Sequence, residues 1–394
     1  MGMQSGGRRL RRASVSVAAC VAILSSSTLA QPVGASTAPP KFMGPVVSRA
    51  ESPTVTLGRD GGYSVGLPNG QALWIFADTP RFEYRSGGWR FRSFIPGSTA
   101  GMMPFTNGKP PTGKVTEIKV GKRPPSTANP AQFLPPPSGV YMPNGSGKAC
   151  NRKNGKPSTN PVRWPIGAAL MPDKANVLVT YAVVCLVSSV FFRGEGWGFA
   201  LYNWKTNRFT QPPYDVFRPK KDGSALRSDR FFGSPLINGD KVNFFSWRCC
   251  GGDGGVFRTT VSLKIGALRN PSAYAPQKVP NVPATYDLSV ARTSKTHARY
   301  SMYNLRGDKG QYNIFTASKP AGPWKKVGSG TLPKCNKSPY PCHSIIVHPE
   351  MSPTGRLLIS YHLSGYGPAI PTKHPYPKEP LRHVVMATVP CGSC

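Results

Sequence analysis

A short strand, a tight turn and a second strand recur five times along the chain, and this repeat limits the fold more than any other feature of the sequence. The copies are YSVGLPNGQALWIFAD from Tyr63, GAALMPDKANVLVTYAV from Gly167, GSPLINGDKVNFFSW from Gly233, LSVARTSKTHARYSMYN from Leu288 and VHPEMSPTGRLLISYH from Val347. Their turns centre near Asn69, Asp173, Asn238, Lys295 and Thr354. The later intervals are about 60 residues, enough for one four-stranded blade and its connections. Five hairpins imply five sheets, so the expected fold is all-β, a five-bladed β-propeller, with two packed sheets as the alternative. Pairing of the final strand, His383 to Val389, with the segment near Val55 would close the ring.

The first interval is longer than the others. Its excess, Ile95 to Arg163, is rich in Pro, Gly, Lys and Asn and holds Glu117 as its only carboxylate. Such a stretch reads as a long basic loop insertion after the first blade, ordered in part through Cys150. The whole chain carries 43 Pro and 42 Gly in 394 residues, which suits many turns and little helix. The organisation that follows is a signal peptide over 1–35, a linker over 36–52, the propeller over 53–390 and a Cys-containing clasp over 391–394.

Arg8, Arg9, Arg11 and Arg12 precede an apolar stretch from Ala13 to Ala30 that is short and Ser-rich for a membrane span. Small residues at Thr28-Leu29-Ala30 or Val33-Gly34-Ala35 would suit cleavage, and the paired arginines leave twin-arginine export open beside the general route. No later segment is long and apolar enough for a spanning helix, so the expectation is a secreted chain without stable membrane insertion, acting as a monomer. Removal of the signal takes away Cys20 and leaves eight cysteines, an even number suited to disulfides outside the cytoplasm. Cys335 and Cys342 bracket a short loop and form the easiest pair to defend. Cys391 and Cys394 lack a second ligand pair for zinc and a following helix for redox work, so they read as a structural clasp.

Loss of the four signal arginines lowers the formal charge from +34 to +30. Such a surface favours anionic surroundings: nucleic acid, acidic lipid or an anionic cell envelope. No nucleic-acid recognition motif is present, and export argues against that partner. A basic surface that only keeps the protein soluble is the plainer alternative.

Chemistry is sought at the starts of the innermost strands, where propeller pockets open. Asp60 lies nine residues before Asn69, and Asp229 lies nine before Asn238; Asp287 has the similar place in the fourth repeat, and Trp164 takes it in the second. Opposed residues of the first hairpin sum to about 139, which sets Asp78 beside Asp60 at ~5 Å between Cβ atoms. Two carboxyls so close are protonated, paired with a cation such as Arg59, or used for chemistry. The same arithmetic sets Arg248 opposite Asp229 as an ion pair, with Asp229 kept as a contact for a substrate hydroxyl. Glu350 and His348 belong toward the closed end as a buried hydrogen-bonded pair, with a structural cation near His348 as the other option. His343 and His362 lie nearer the open end. Tyr63, Trp74, Trp89 and Trp247 offer faces for stacking sugars, although Trp74 and Trp247 sit in strand interiors, where core packing is the better reading.

GRDGGYS (Gly58 to Ser64), LWIFADT (Leu73 to Thr79), SKPAGPW (Ser318 to Trp324) and HPEMSPTGRLLISYH (His348 to His362) resemble the motifs of an exported five-bladed propeller family first catalogued as a domain of unknown function, some members of which are endo-D-arabinanases. The resemblance covers roughly residues 50 to 390. SKPAGPW is shared more widely with arabinanases, xylosidases and related furanosidases. Phe76-Ala77-Asp78 departs from the pattern, which has Gly before the Asp, as do the basic insertion and the extreme charge.

The resemblance implies a glycosidase of furanose polymers that uses two carboxyl groups around an oxocarbenium-like transition state. Asp60 would be nucleophile or base, ahead of glycines that let a sugar approach the backbone, and Asp78 the acid or its partner. Arg59, Tyr63, Asp229, Arg248, Asp287 and His343 would line the substrate site, with no cofactor required. The partner expected is a polysaccharide in an anionic cell envelope; the other reading is a non-catalytic propeller that binds such a glycan through its basic surface.

Overall fold

A computed structural model describes residues 39–122, 129–142, 146–151, 160–186, 192–218, 221–222, 226, 228–248, 254–293, 299–307, 309–335, 342–363 and 384–391. The proposed signal peptide, the turn at Lys295, and Cys249, Cys250 and Cys394 lie outside the described residues. Within them the fold is all-β, with a single five-residue α-helix, Ile265–Arg269, and a few 3-10 turns. No helix among them is long and apolar enough to cross a membrane.

Five four-stranded antiparallel sheets carry the structure. From inner to outer strand, the first is Gly61–Gly66, Gln71–Phe76, Thr99–Pro104 and Thr116–Glu117; the second is Asn160–Leu170, Asn176–Leu186, Phe192–Asn203 and Arg208–Phe217. The third is Gly233–Asn238, Lys241–Arg248, Gly255–Ser262 and Gln277–Lys278, and the fourth is Asp287–Arg292, Tyr300–Leu305, Gln311–Ala317 and Lys325–Thr331. The fifth is Cys342–His348, Arg356–Leu363, Val384–Pro390 and Lys41–Pro45. The described strands of each of the five sequence repeats pair as the two inner strands of one sheet. Such hairpins follow from the sequence: in the second sheet Asp173 Oδ1 accepts the amides of Ala175 and Asn176, closing the turn ahead of the apolar run NVLVTYAVVCL. That run is apolar on both faces because both faces are covered.

The innermost strand of each sheet contacts that of the next, and the fifth returns to the first. Apolar clusters fill the spaces between consecutive sheets in the same order. Val65 and Leu73 meet Val179 and Tyr181; Trp197 and Phe199 meet Phe232 and Phe244; Phe245 and Val256 meet Leu288 and Met302. Tyr303 and Leu305 then meet Ile345 and Leu357, and Leu358 and Val384 meet Trp74 and Phe76. Each sheet thus buries both faces, and the stability of the ring is a sum of five such interfaces.

Three details differ from the sequence expectations. The final strand pairs with Lys41–Pro45 rather than with the segment near Val55, so part of the expected linker is the outer edge of the fifth sheet. The expected loop insertion supplies the two outer strands of the first sheet, Thr99–Pro104 and Thr116–Glu117. A sixth sheet of three strands, Val55–Leu57, Thr79–Arg85 and Gly88–Ile95, continues the inner ribbon of the first sheet beyond its end. Cys150 pairs with Cys185, tying the basic stretch to the second sheet, and Cys335 pairs with Cys342 as the spacing suggested. Cys391 is also disulfide-bonded.

Candidate functional site

Asp60 and Asp78 sit at the junction where the inner ribbon of the first sheet passes into the three-stranded sheet. Register runs evenly from Gly66↔Ala72 to Tyr63↔Ile75 and then slips at Gly62 to give Gly61↔Phe76. Beyond the slip, the Asp60 amide donates to the Asp78 carbonyl at 3.1 Å while the Ala77 amide donates to the Asp60 carbonyl at 2.8 Å. The two aspartates are therefore cross-strand neighbours, as the hairpin arithmetic indicated, with a bulge that re-aims their side chains. Gly61 and Gly62 make the bulge, with φ of 71° and 126°. A Cβ on Gly62 would stand 2.9 Å from Val384 Cγ1, so only glycine fits both the backbone and the fifth sheet.

The bulge turns Asp60 toward the fifth sheet. Its Oδ1 lies 2.5 Å from His362 Nδ1 and 3.3 Å from His343 Nε2, and accepts the Gly61 amide at 2.6 Å. Burial alone would raise this carboxyl, but the facing charges and hydrogen bonds of His362 and His343 outweigh it and hold Asp60 well below the usual carboxylate range. The same coupling lifts His343 against the burial that lowers it, whereas burial keeps His362 below its ordinary value. Asp78 faces the second sheet instead: one oxygen accepts the Gly97 amide at 2.6 Å and the Trp164 indole N–H at 3.0 Å. Burial pushes Asp78 up to about 7 in spite of these donors, and the charge of Asp60 adds to the rise.

Asp287 joins the group from the fourth sheet. It accepts the amides of Leu288 at 2.7 Å and Ile345 at 3.1 Å, and burial raises it to about 6, with the His343 charge opposing. Tyr63 is held well above its usual value, by burial first and then by the charges of Asp287 and Asp60. Asp60, Asp78, Tyr63, Asp287, His343 and Trp164 are all half-buried, so the cluster opens to solvent.

Arg59 does not serve the pair. Its guanidinium makes a buried ion pair with Glu117 and lies over the Phe76 ring at 4.1 Å, so the cation expected beside the aspartates belongs to the outer strand of their sheet. Asp229, on a 3-10 turn ahead of the third sheet, and Arg248, at the end of that sheet's second strand, form the expected ion pair at 3.4 Å. Trp74 is fully buried against Phe76 and His348, as a strand-interior tryptophan should be, and Trp89 is buried edge-on to Tyr84.

Further along the inner strand, Ser64 Oγ lies 2.6 Å from both Glu350 Oε1 and His348 Nδ1, and His348 Nε2 lies 2.8 Å from Ser360 Oγ. Both ring nitrogens of His348 are thus engaged within the protein, and burial lowers it to about 3. This arrangement suits the buried His and Glu pair rather than a cation ligand. A set with metal-ligand character does exist elsewhere: Asp60, His343 and His362 offer ligand atoms within 4.8 Å of one another. Sequence reasoning underweighted His362 and missed Gly97 and the role of Trp164. The signal for Trp164 was its place in the second repeat, at the height of Asp60 in the first.

No family model and no curated protein matches the sequence. Among solved structures, the catalytic domain of Coprinopsis cinerea GH62 alpha-L-arabinofuranosidase is similar at 9% identity and a TM-score of 0.44, covering 91% of this chain and 98% of that one. The GH43_1 enzyme from Xanthomonas citri complexed with xylotriose is similar at 11% and 0.44, covering 89% and 90%. Zg3597, a family 117 glycoside hydrolase of Zobellia galactanivorans, gives 9% and 0.44, covering 89% and 90%. Likeness at this level does not carry the chemistry of those proteins over to this chain.

Proposed function

We propose that this chain is an exported five-bladed β-propeller that hydrolyses an arabinofuranose-type polysaccharide of a cell envelope, in the manner of an endo-D-arabinanase, with Asp60 and Asp78 as its catalytic carboxyls. The cyclic order of the inner strands and of the apolar clusters supports the five-bladed reading. One observation carries the chemistry: two neighbouring carboxyls are driven in opposite directions, Asp60 well below the ordinary range and Asp78 to about 7. Environments that drive neighbouring carboxyls apart in this way assign a base and an acid.

At neutral pH Asp60 is ionised and a substantial share of Asp78 keeps its proton. Asp78 gives that proton to the glycosidic oxygen as the bond to the anomeric carbon breaks, and the leaving sugar departs as an alcohol. Asp60 faces the positive charge that develops on the ring, either attacking the anomeric carbon or taking a proton from the attacking water. His343 and His362 keep Asp60 charged and fixed, and Trp164 and Gly97 fix Asp78. Tyr63 and Asp287, on the inner strands of the first and fourth sheets, offer a phenol and a carboxyl to the hydroxyls of the sugar.

Purified protein incubated with arabinan, arabinogalactan and unrelated glycans tests this reading. Oligosaccharides released from the arabinofuranose polymers alone would support it. Salt-dependent binding to anionic glycan with no product released would instead make the chain a binding propeller.

A further inference from the structure

The three-stranded sheet beyond Asp78 carries a row of aromatic side chains that the chemistry above does not use. Its hairpin pairs Pro80↔Phe94, Phe82↔Phe91 and Tyr84↔Trp89, with a register shift between Arg81 and Phe82. Cross-strand partners share a face, so this register gathers all six apolar residues on one side and sends Arg81, Glu83, Arg85 and Arg90 to the other. Arg92 is the extra residue of the bulge; without it Phe94 would fall on the face opposite Phe91. On the polar side Arg81, Arg85 and Arg92 converge on Glu83.

Ring contacts confirm the shared face: Phe82 meets Phe91 at 6.0 Å and Tyr84 meets Trp89 at 5.5 Å, both edge to face. Phe82 and Trp89 form a buried base, only 4% and 3% exposed, while Tyr84, Phe91 and Phe94 remain 38%, 41% and 38% exposed above it. These three are most of the five large apolar side chains exposed among the described residues, so the face is a concentrated feature and not ordinary surface scatter.

The row begins at the site. Thr79 opens the hairpin directly after Asp78, and the returning strand ends at Ile95, two residues before the Gly97 amide that binds the Asp78 carboxyl. From Pro80 to Tyr84 the strand rises ~14 Å at ~3.4 Å per residue, so successive cross-strand pairs of rings lead away from the carboxyls. We propose that this face is an extended subsite on which the sugar rings of a neutral glycan chain stack as the chain leaves Asp78. The occupant follows from continuity with the carboxyl cluster, which rests on the glycosidase reading, and from chemistry: aromatic faces pack on the C–H faces of sugars, while Arg81, Arg85 and Arg92 are engaged with Glu83.

The test compares the full-length protein with Phe91→Ser/Phe94→Ser and Tyr84→Ser variants, on soluble arabinan and on a short arabino-oligosaccharide. Affinity electrophoresis through an arabinan gel is run beside the kinetics, on the parent and on an Asp78→Asn background. The expected result is a roughly tenfold rise in KM on polymer, the size of one or two lost aromatic contacts, with kcat and oligosaccharide turnover unchanged. Gel retardation should fall in both backgrounds while the melting temperature holds. Unchanged retardation and KM in the double variant overturn the subsite even if hydrolysis itself is confirmed. Retardation of the parent that the variants lose, in a protein that releases no product, upholds the subsite and sinks the glycosidase reading. A parent dimer in sedimentation that Phe91→Ser/Phe94→Ser dissolves assigns the face to a second copy and overturns the proposal.

Discussion

Trp164 donates its indole N–H to the same Asp78 oxygen that accepts the Gly97 amide, and so fastens the second sheet to the carboxyl at the end of the first. Both donors stabilise the ionised carboxyl and restrain its rise. Trp164→Phe keeps the ring and removes the bond. Asp78 should then titrate higher, so that the fall in kcat/KM on the basic side moves to higher pH while kcat drops with lost positioning. A pH profile of kcat/KM for parent and variant reads both effects, and an unshifted basic limb would mean that the bond does not act on the proton.

His362 and His343 should act on the other limb. Their charges and hydrogen bonds hold Asp60 low against its burial, so His362→Ala should let Asp60 rise and carry the acidic limb of activity upward. Linkage gives the same sign for stability. A carboxyl with a lowered folded value stabilises above its ordinary range and loses that contribution as pH falls through the folded value. The variant should therefore lose less melting temperature on acidification than the parent does. A purely structural histidine would leave the acidic limb in place.

Glu350 offers a stability test away from the carboxyl pair. Burial raises it to about 7 although Ser64 donates to it, so the folded chain holds a proton that the unfolded chain has released. Its contribution is largest below the ordinary glutamate value and is lost as pH rises toward and past about 7. Glu350→Gln should flatten the decline in melting temperature across that window. Equal slopes in calorimetry for parent and variant would contradict the assignment.

The buried pair of Arg59 and Glu117 should matter to folding rather than to turnover. Glu117→Ala leaves the guanidinium buried and uncompensated, a loss of about 3–5 kcal/mol for a pair of this kind. Denaturant unfolding should show that loss, with turnover per folded molecule nearly unchanged. A destabilisation under about 1 kcal/mol would show that the pair is solvated.

Much of this architecture was legible because it rests on local patterns. Turn chemistry and apolar runs marked all five inner hairpins, and the turn of the first gave the pairing of Asp60 with Asp78. Outer strands were harder to read. Thr99–Pro104 reads TAGMMP, with a glycine at 101 whose Cβ would stand 2.3 Å from Val115, so close packing replaced the usual β-branched signature. Pairing between distant segments was also hidden: neither the edge strand Lys41–Pro45 nor the contact of His362 with Asp60, 302 residues apart, leaves a local trace. Arg59 adjoins Asp60 in sequence, yet strand alternation sends its side chain to Glu117, which proximity along the chain could not reveal.

The most direct test of the central claim pairs melting temperature with product release on Asp60→Asn and Asp78→Asn. Each change is nearly isosteric, and Arg59 does not depend on either aspartate for its ion pair. The account predicts that both variants keep the fold, with Asp78→Asn melting near the parent and Asp60→Asn giving up only the contribution of its ionised carboxyl, while each loses most glycan cleavage per folded molecule, roughly 100-fold or more where a catalytic proton transfer is removed. A stable Asp60→Asn protein that releases product at the parental rate would contradict it.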